Sequence, residues 1–167
     1  MLQNLLFKYQ MQIFTKIFVS IFYIGFIKFA PGTWGSLTSI IMLFSLFNFF
    51  KLSLPVLITI FVILFFISNF LINYFSSFTD SYDSKHIIID ELIGIYIIFF
   101  FYDFIFIYND IVTLMLIFFI FRFFDIVKIY PANFVDQKIK NGYGVIMDDI
   151  IAGIYTVLLM VLINVII

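Results

Sequence analysis

Five apolar runs, at residues 37–50, 56–74, 87–108, 111–124 and 150–167, follow one another with only short polar stretches between them, and this succession decides what the chain can fold into. Runs near twenty residues match the length a helix needs to cross the roughly 30 Å of bilayer hydrocarbon. Inside that hydrocarbon every backbone polar group must be paired within the segment, so each run has to be helical. A mean hydropathy of +1.21, with 65% hydrophobic and 11% charged residues, lies outside the range of soluble domains. The expectation is an all-α, polytopic membrane helical bundle. Residues 30–167 form its embedded domain. Residues 1–29 carry Lys8, Lys16 and Lys28 at wide intervals, which suits an interfacial or tilted helix.

The 27 Phe, the abundant Ile and Asn, and eight Lys against one Arg reflect an AT-rich coding bias, so single Phe residues are poor functional clues. A net charge of -1 gives no general attraction to nucleic acid or anionic lipid. With no Cys, disulfides, thiolate metal sites and a cysteine nucleophile are excluded. The N-terminus lacks the small-residue cleavage site of a secretory signal, and no processing is expected.

The first run has only 14 residues and is expected to recruit part of the preceding APGTWGS segment (30–36), where Thr33 and Ser36 are placed to cap it. With the turn at 51–55 and the second run it reads as a helical hairpin. Polar loops are expected at 75–86 and from Lys128 to Met147, the latter broken by Pro131, Gly142 and Gly144. Lys85, Lys128, Lys138 and Lys140 lie in those loops, Lys28 beside APGTWGS and Lys8 and Lys16 near the N-terminus. Only Lys51 falls on the other side, so the positive-inside rule puts both loops and APGTWGS on the cytoplasmic face.

Two acidic pairs, Asp90-Glu91 and Asp148-Asp149, stand at the starts of apolar runs, where charge is costly. One such pair reads as helix capping. Two pairs and Asp125, delivered to one face, read better as the hard oxygen ligands that Mg²⁺ prefers. Arg122, Asp125 and Lys128 are spaced i, i+3, i+6, so on a helix from Asp110 to Lys128 two cations flank one carboxylate. Snorkelling accounts for Lys128 well, but less well for Arg122, the chain's sole guanidinium. Metal ligands beside such cations describe a phosphate site. Gly32 and Gly35 leave backbone N–H groups open to an anion, with Thr33 in support. Trp34 reads as an interfacial anchor and His86 as a solvated loop residue, while Asp103 fits no cluster.

Three segments in order, P-G-T-W-G-S at 31–36, D-x-x-x-I-I-I-D-E-L-I-G at 83–94, and F-R-F-F-D-I-V-K with G-Y-G-V-I-M-D-D-I-I-A-G at 121–128 and 142–153, resemble the phosphatidylglycerophosphatase A family. Where that family tends to have Pro after the lysine and a Gly pair in the last loop, this chain has Ile129, and Asn141 before Gly142. The resemblance implies a Mg²⁺-dependent lipid phosphatase of the bacterial inner membrane that removes the terminal phosphate of phosphatidylglycerophosphate. Its acidic positions fall on Asp83, Asp90, Glu91, Asp125, Asp148 and Asp149, and its basic ones on Arg122 and Lys128. The implied roles are catalytic for Asp90, Glu91, Asp125, Asp148 and Asp149, with metal binding by Asp90, Glu91, Asp148 and Asp149. Thr33, Arg122 and Lys128 bind the substrate's phosphate. Attack by an Asp carboxylate and attack by an activated water both stay open. The rival reading is a small transporter whose intramembrane acids carry ions, which predicts acids spread through the depth of the spans.

Overall fold

The computed structural model describes residues 2–50, 52–79 and 84–166, which form eight α-helices, one short 3₁₀ turn and no strand. The helices are α1 (Leu2–Val19), α2 (Pro31–Phe50), α3 (Leu54–Thr79), α4 (Ile89–Phe99), α5 (Tyr102–Ile105), α6 (Asp110–Val127), α7 (Ala132–Lys138) and α8 (Gly142–Ile166). Three of them, α2, α3 and α8, are long and apolar enough to cross a membrane, with 20, 26 and 25 residues. At 1.5 Å per residue the shortest is about 30 Å long.

Helix α2 reaches that length by absorbing the PGTWGS segment. Pro31 takes the first helical position, where its missing N–H costs nothing, and Ala30 before it is left-handed (φ 47°). The segment is therefore the first turns of the helix, and the capping expected of Thr33 and Ser36 does not occur. Ser36 lies in the second turn and its hydroxyl faces another helix.

The 87–108 run, expected as one span, is broken at Phe100–Phe101 into α4 and the single turn α5. Helix α4 is buried nearly all round, with Ile93, Ile95 and Ile98 fully enclosed, so it is the inner helix of the bundle. Beyond the break Tyr102 stacks on Phe99 at 5.4 Å and donates to Asp110, while Asn109 caps α6 by accepting from the Val112 N–H at 3.0 Å.

The second polar loop is also more ordered than its composition indicates. It contains α7 and the opening turns of α8, so Asp148 and Asp149 lie well inside α8 and cap nothing. That helix start is satisfied by asparagines: Gly142 N–H donates to Asn73 Oδ1 at 2.9 Å and Gly144 N–H to Asn141 Oδ1 at 3.1 Å.

Helix α1 is exposed through its first nine described positions and packs on α3. It ends in a hook in which Ile21, Phe22 and Tyr23 all have positive φ. The hook is tied to the segment entering α4, since Ile88 N–H donates to Val19 O at 2.9 Å and His86 Nδ1 lies 2.9 Å from Gly25 O. His86 also stacks on Phe26 at 4.3 Å. The sole histidine, expected to be solvated, is half-buried and fastens this corner.

Candidate active site

The site begins at the seam between α4 and α8. A Cβ on Gly94 would lie 2.5 Å from Asp149 O, and one on Gly153 would collide with Gly94 O, so the two backbones touch because neither residue has a side chain. Asp90 stands four residues before Gly94, and Asp149 four before Gly153. Residues four apart share a helix face, so the contact that joins the helices also brings these two acids to one place.

One wall is built around Arg122. Its Nη1 donates to Glu91 Oε1 at 3.2 Å and makes a short bond to Asp125 Oδ2, one turn further along α6. The second oxygen of Glu91 accepts from the Ser36 hydroxyl at 2.8 Å. Gly32 and Gly35 leave the space this requires, since a Cβ on either would sit 2.6 Å from a Glu91 carboxylate oxygen. These glycines make room for an ion pair, a role the sequence did not announce.

Lys128 forms the other wall. Helix α6 stops at Val127, and Lys128 caps it in a left-handed conformation (φ 48°, ψ 60°). That turn carries the ammonium away from Asp125, the partner expected from the i, i+3 spacing. Nζ instead lies 2.7 Å from Asp148 Oδ2 and 2.8 Å from Asp136 Oδ1 on α7. Burial works against its charge, but the hydrogen bonds to Asp136 and Asp148 outweigh burial and raise its pKa above the usual lysine value.

Between the walls lies a pocket of ≈ 150 Å³. Asp90, Glu91, Asp125, Asp148 and Asp149 all line it, so the five acids named from the sequence meet there, with Lys128. Asp136 lines it too and was not anticipated. Arg122 stands behind its carboxylates and does not line the pocket, nor does Thr33; Asp83 lies outside the described residues. Four carboxylates are committed to cations, Glu91 and Asp125 to Arg122 and Asp136 and Asp148 to Lys128. The exceptions are Asp90, which accepts only from the Glu91 N–H at 3.0 Å, and Asp149, whose carboxylate has no partner among the described residues. No three acidic or histidine side chains among the described residues form a ready-made ligand set. What is available for a cation is this uncommitted pair and space for water.

Carboxylates gathered with paired cations in one pocket of an apolar helical bundle fit the class of membrane lipid phosphatases, and the comparisons with known proteins bear that class out. The chain belongs to the phosphatidylglycerophosphatase A family, whose model matches residues 17–164 and so takes in the hook as well as the pocket. It is 30% identical over 139 residues to phosphatidylglycerophosphatase A of Haemophilus influenzae, an overlap covering 80% of this chain and 78% of that protein. No solved structure matches it.

Proposed function

We propose that the chain hydrolyses phosphatidylglycerophosphate to phosphatidylglycerol and phosphate, that it depends on Mg²⁺, and that it works at the cytoplasmic face of the bacterial inner membrane. The observation that carries this reading is the convergence of six carboxylates on one pocket of ≈ 150 Å³ with two of them uncommitted. A phosphomonoester is itself anionic and would be repelled from such a pocket unless a further cation joined Lys128. Mg²⁺ suits the donor set because it takes one or two carboxylates and fills its remaining positions with water. When bound it neutralises phosphoryl charge and polarises the phosphorus centre toward attack.

The chain's own groups divide the remaining work. Asp90 and Asp149, held together by the glycine seam, are assigned to the cation or to taking the attacking group's proton. Lys128 is assigned to the phosphate, since its ammonium can exchange Asp136 or Asp148 for a phosphoryl oxygen without leaving the pocket. Arg122 fixes Glu91 and Asp125 from behind. Thr33, away from the pocket lining, has no part in this assignment. Lys85 and Lys140 share the pocket with Lys128, which supports a cytoplasmic orientation, and residues 1–29 then lie along the interface.

The test is phosphate release from phosphatidylglycerophosphate in mixed micelles, with Mg²⁺ and with a chelator. Wild type is expected to release phosphate only with the cation, and Asp149→Asn to lose on the order of 10²- to 10³-fold in rate. A folded wild type that releases none overturns the reading, whereas full activity in the chelator removes the Mg²⁺ dependence alone.

A further inference from the structure

The pocket's charges are layered. The six carboxylates that line it are opposed inside by Lys128, which is already bound to two of them. Two more lysines line it, Lys85 before α4 and Lys140 between α7 and α8, and both are exposed. Neither pairs with any carboxylate among the described residues, although acids surround them. They come from two separate chain segments, so exposed basic groups border the pocket that the acids line.

A lipid that is phosphatidylglycerol esterified with a further phosphate carries two anionic groups. One is the terminal monoester that is cleaved, and the other is the diester joining glycerol to the lipid. The interior answers the first with Lys128 and whatever cation Asp90 and Asp149 hold; nothing in the interior is left to answer the second. We propose that Lys85 and Lys140 bind the diester phosphate, making the pocket mouth a second anion subsite that selects lipids with two phosphates. The assignment rests on the hydrolase reading above. Because both ammonium groups are exposed, each contact is partly screened by solvent, and their loss should weaken binding without stopping the chemistry.

The experiment uses the full chain in uncharged detergent micelles, comparing wild type, the double variant Lys85→Gln/Lys140→Gln, and Lys138→Gln. Lys138 is an exposed lysine on α7 that does not line the pocket, so its loss removes a charge from the same surface. Turnover of phosphatidylglycerophosphate gives KM and kcat, and inhibition by orthophosphate probes the interior alone. The double variant should raise KM about three- to tenfold, keep kcat within about twofold, and leave the inhibition constant of orthophosphate unchanged, with Lys138→Gln behaving as wild type. An unchanged KM overturns the proposal. So does an equal rise in Lys138→Gln, which would mean general attraction, or a parallel rise for orthophosphate, which would place the lysines on the monoester. A wild type inert on this lipid overturns the hydrolase reading and the subsite with it, a result distinct from the other three.

Discussion

The two cations of the site, Arg122 and Lys128, stand six residues apart on and just beyond one helix, yet they are held in opposite ways. Arg122 projects from within α6 with its side chain 17% exposed, enclosed by Glu91, Asp125 and the glycine face of α2. Lys128 lies past the helix end at 30% exposure, and one of its partners, Asp136, is itself 32% exposed. A planar guanidinium with several fixed donors suits a role that must not move, and a single ammonium on a flexible stem suits one that must. The difference teaches that like charges near one pocket can divide into a framework and a working group, with enclosure rather than charge deciding which is which.

The largest effect should come from breaking the framework. Arg122→Ala leaves Glu91 and Asp125 enclosed with no counter-charge, and removing one partner of such a pair costs on the order of 3 kcal/mol. Unfolding of the purified protein in detergent should show that loss, together with loss of activity. Arg122→Lys should recover only part of either, because an ammonium on a flexible stem is less fixed than the planar guanidinium whose Nη1 meets both Glu91 and Asp125. An Arg122→Ala protein as stable as wild type but inactive would make Arg122 a phosphate ligand and erase the contrast.

Much of this division could not be read in advance from the residues. Charges in or beside apolar runs stand out, so Asp90, Glu91, Asp125, Asp148, Asp149, Arg122 and Lys128 were all visible in the sequence. The Arg122–Asp125 pair followed from the i, i+3 spacing and is present, but the partners of Lys128 did not, because they depend on α6 ending at Val127 and on the left-handed turn at Lys128, and nothing in the spacing marks that end. Asp136 was hidden for the opposite reason, since an acid in a polar stretch looks ordinary until α7 forms around it. The break at Phe100–Phe101 escaped notice because a helix buried on every side has no polar face to signal where it stops. The glycine seam did leave a mark, an acid followed four residues later by glycine in both α4 and α8, but its meaning depends on the two helices touching.

A smaller effect on stability, with a clear one on catalysis, is expected from Lys128→Ala. Its pair with Asp136 is open to solvent, but Asp148 is enclosed at 8% exposure and loses its counter-charge, so stability should fall by about 1–2 kcal/mol, less than in Arg122→Ala, which strands two carboxylates. Phosphate release should nevertheless fall by roughly ten- to a hundredfold, mainly through KM, with partial recovery in Lys128→Arg. If Lys128→Ala destabilises as much as Arg122→Ala, both cations belong to the framework and the working group must be sought elsewhere in the pocket.

The smallest effect sharpens the framework itself. The Ser36 hydroxyl has one proton and two acceptors in reach, Gly32 O at 3.0 Å and Glu91 Oε2 at 2.8 Å. A charged acceptor makes the stronger bond, so the proton should go to Glu91, leaving that carboxylate held at both oxygens. Ser36→Ala then removes one of two supports and should lower stability by about 1 kcal/mol, with a few-fold drop in kcat as Glu91 gains freedom to rotate. Adding Ser36→Ala to Arg122→Ala should cost less than the sum of the two alone, because both act on the same carboxylate. Strict additivity would show that the hydroxyl serves its own helix, through Gly32, and that Arg122 alone holds Glu91.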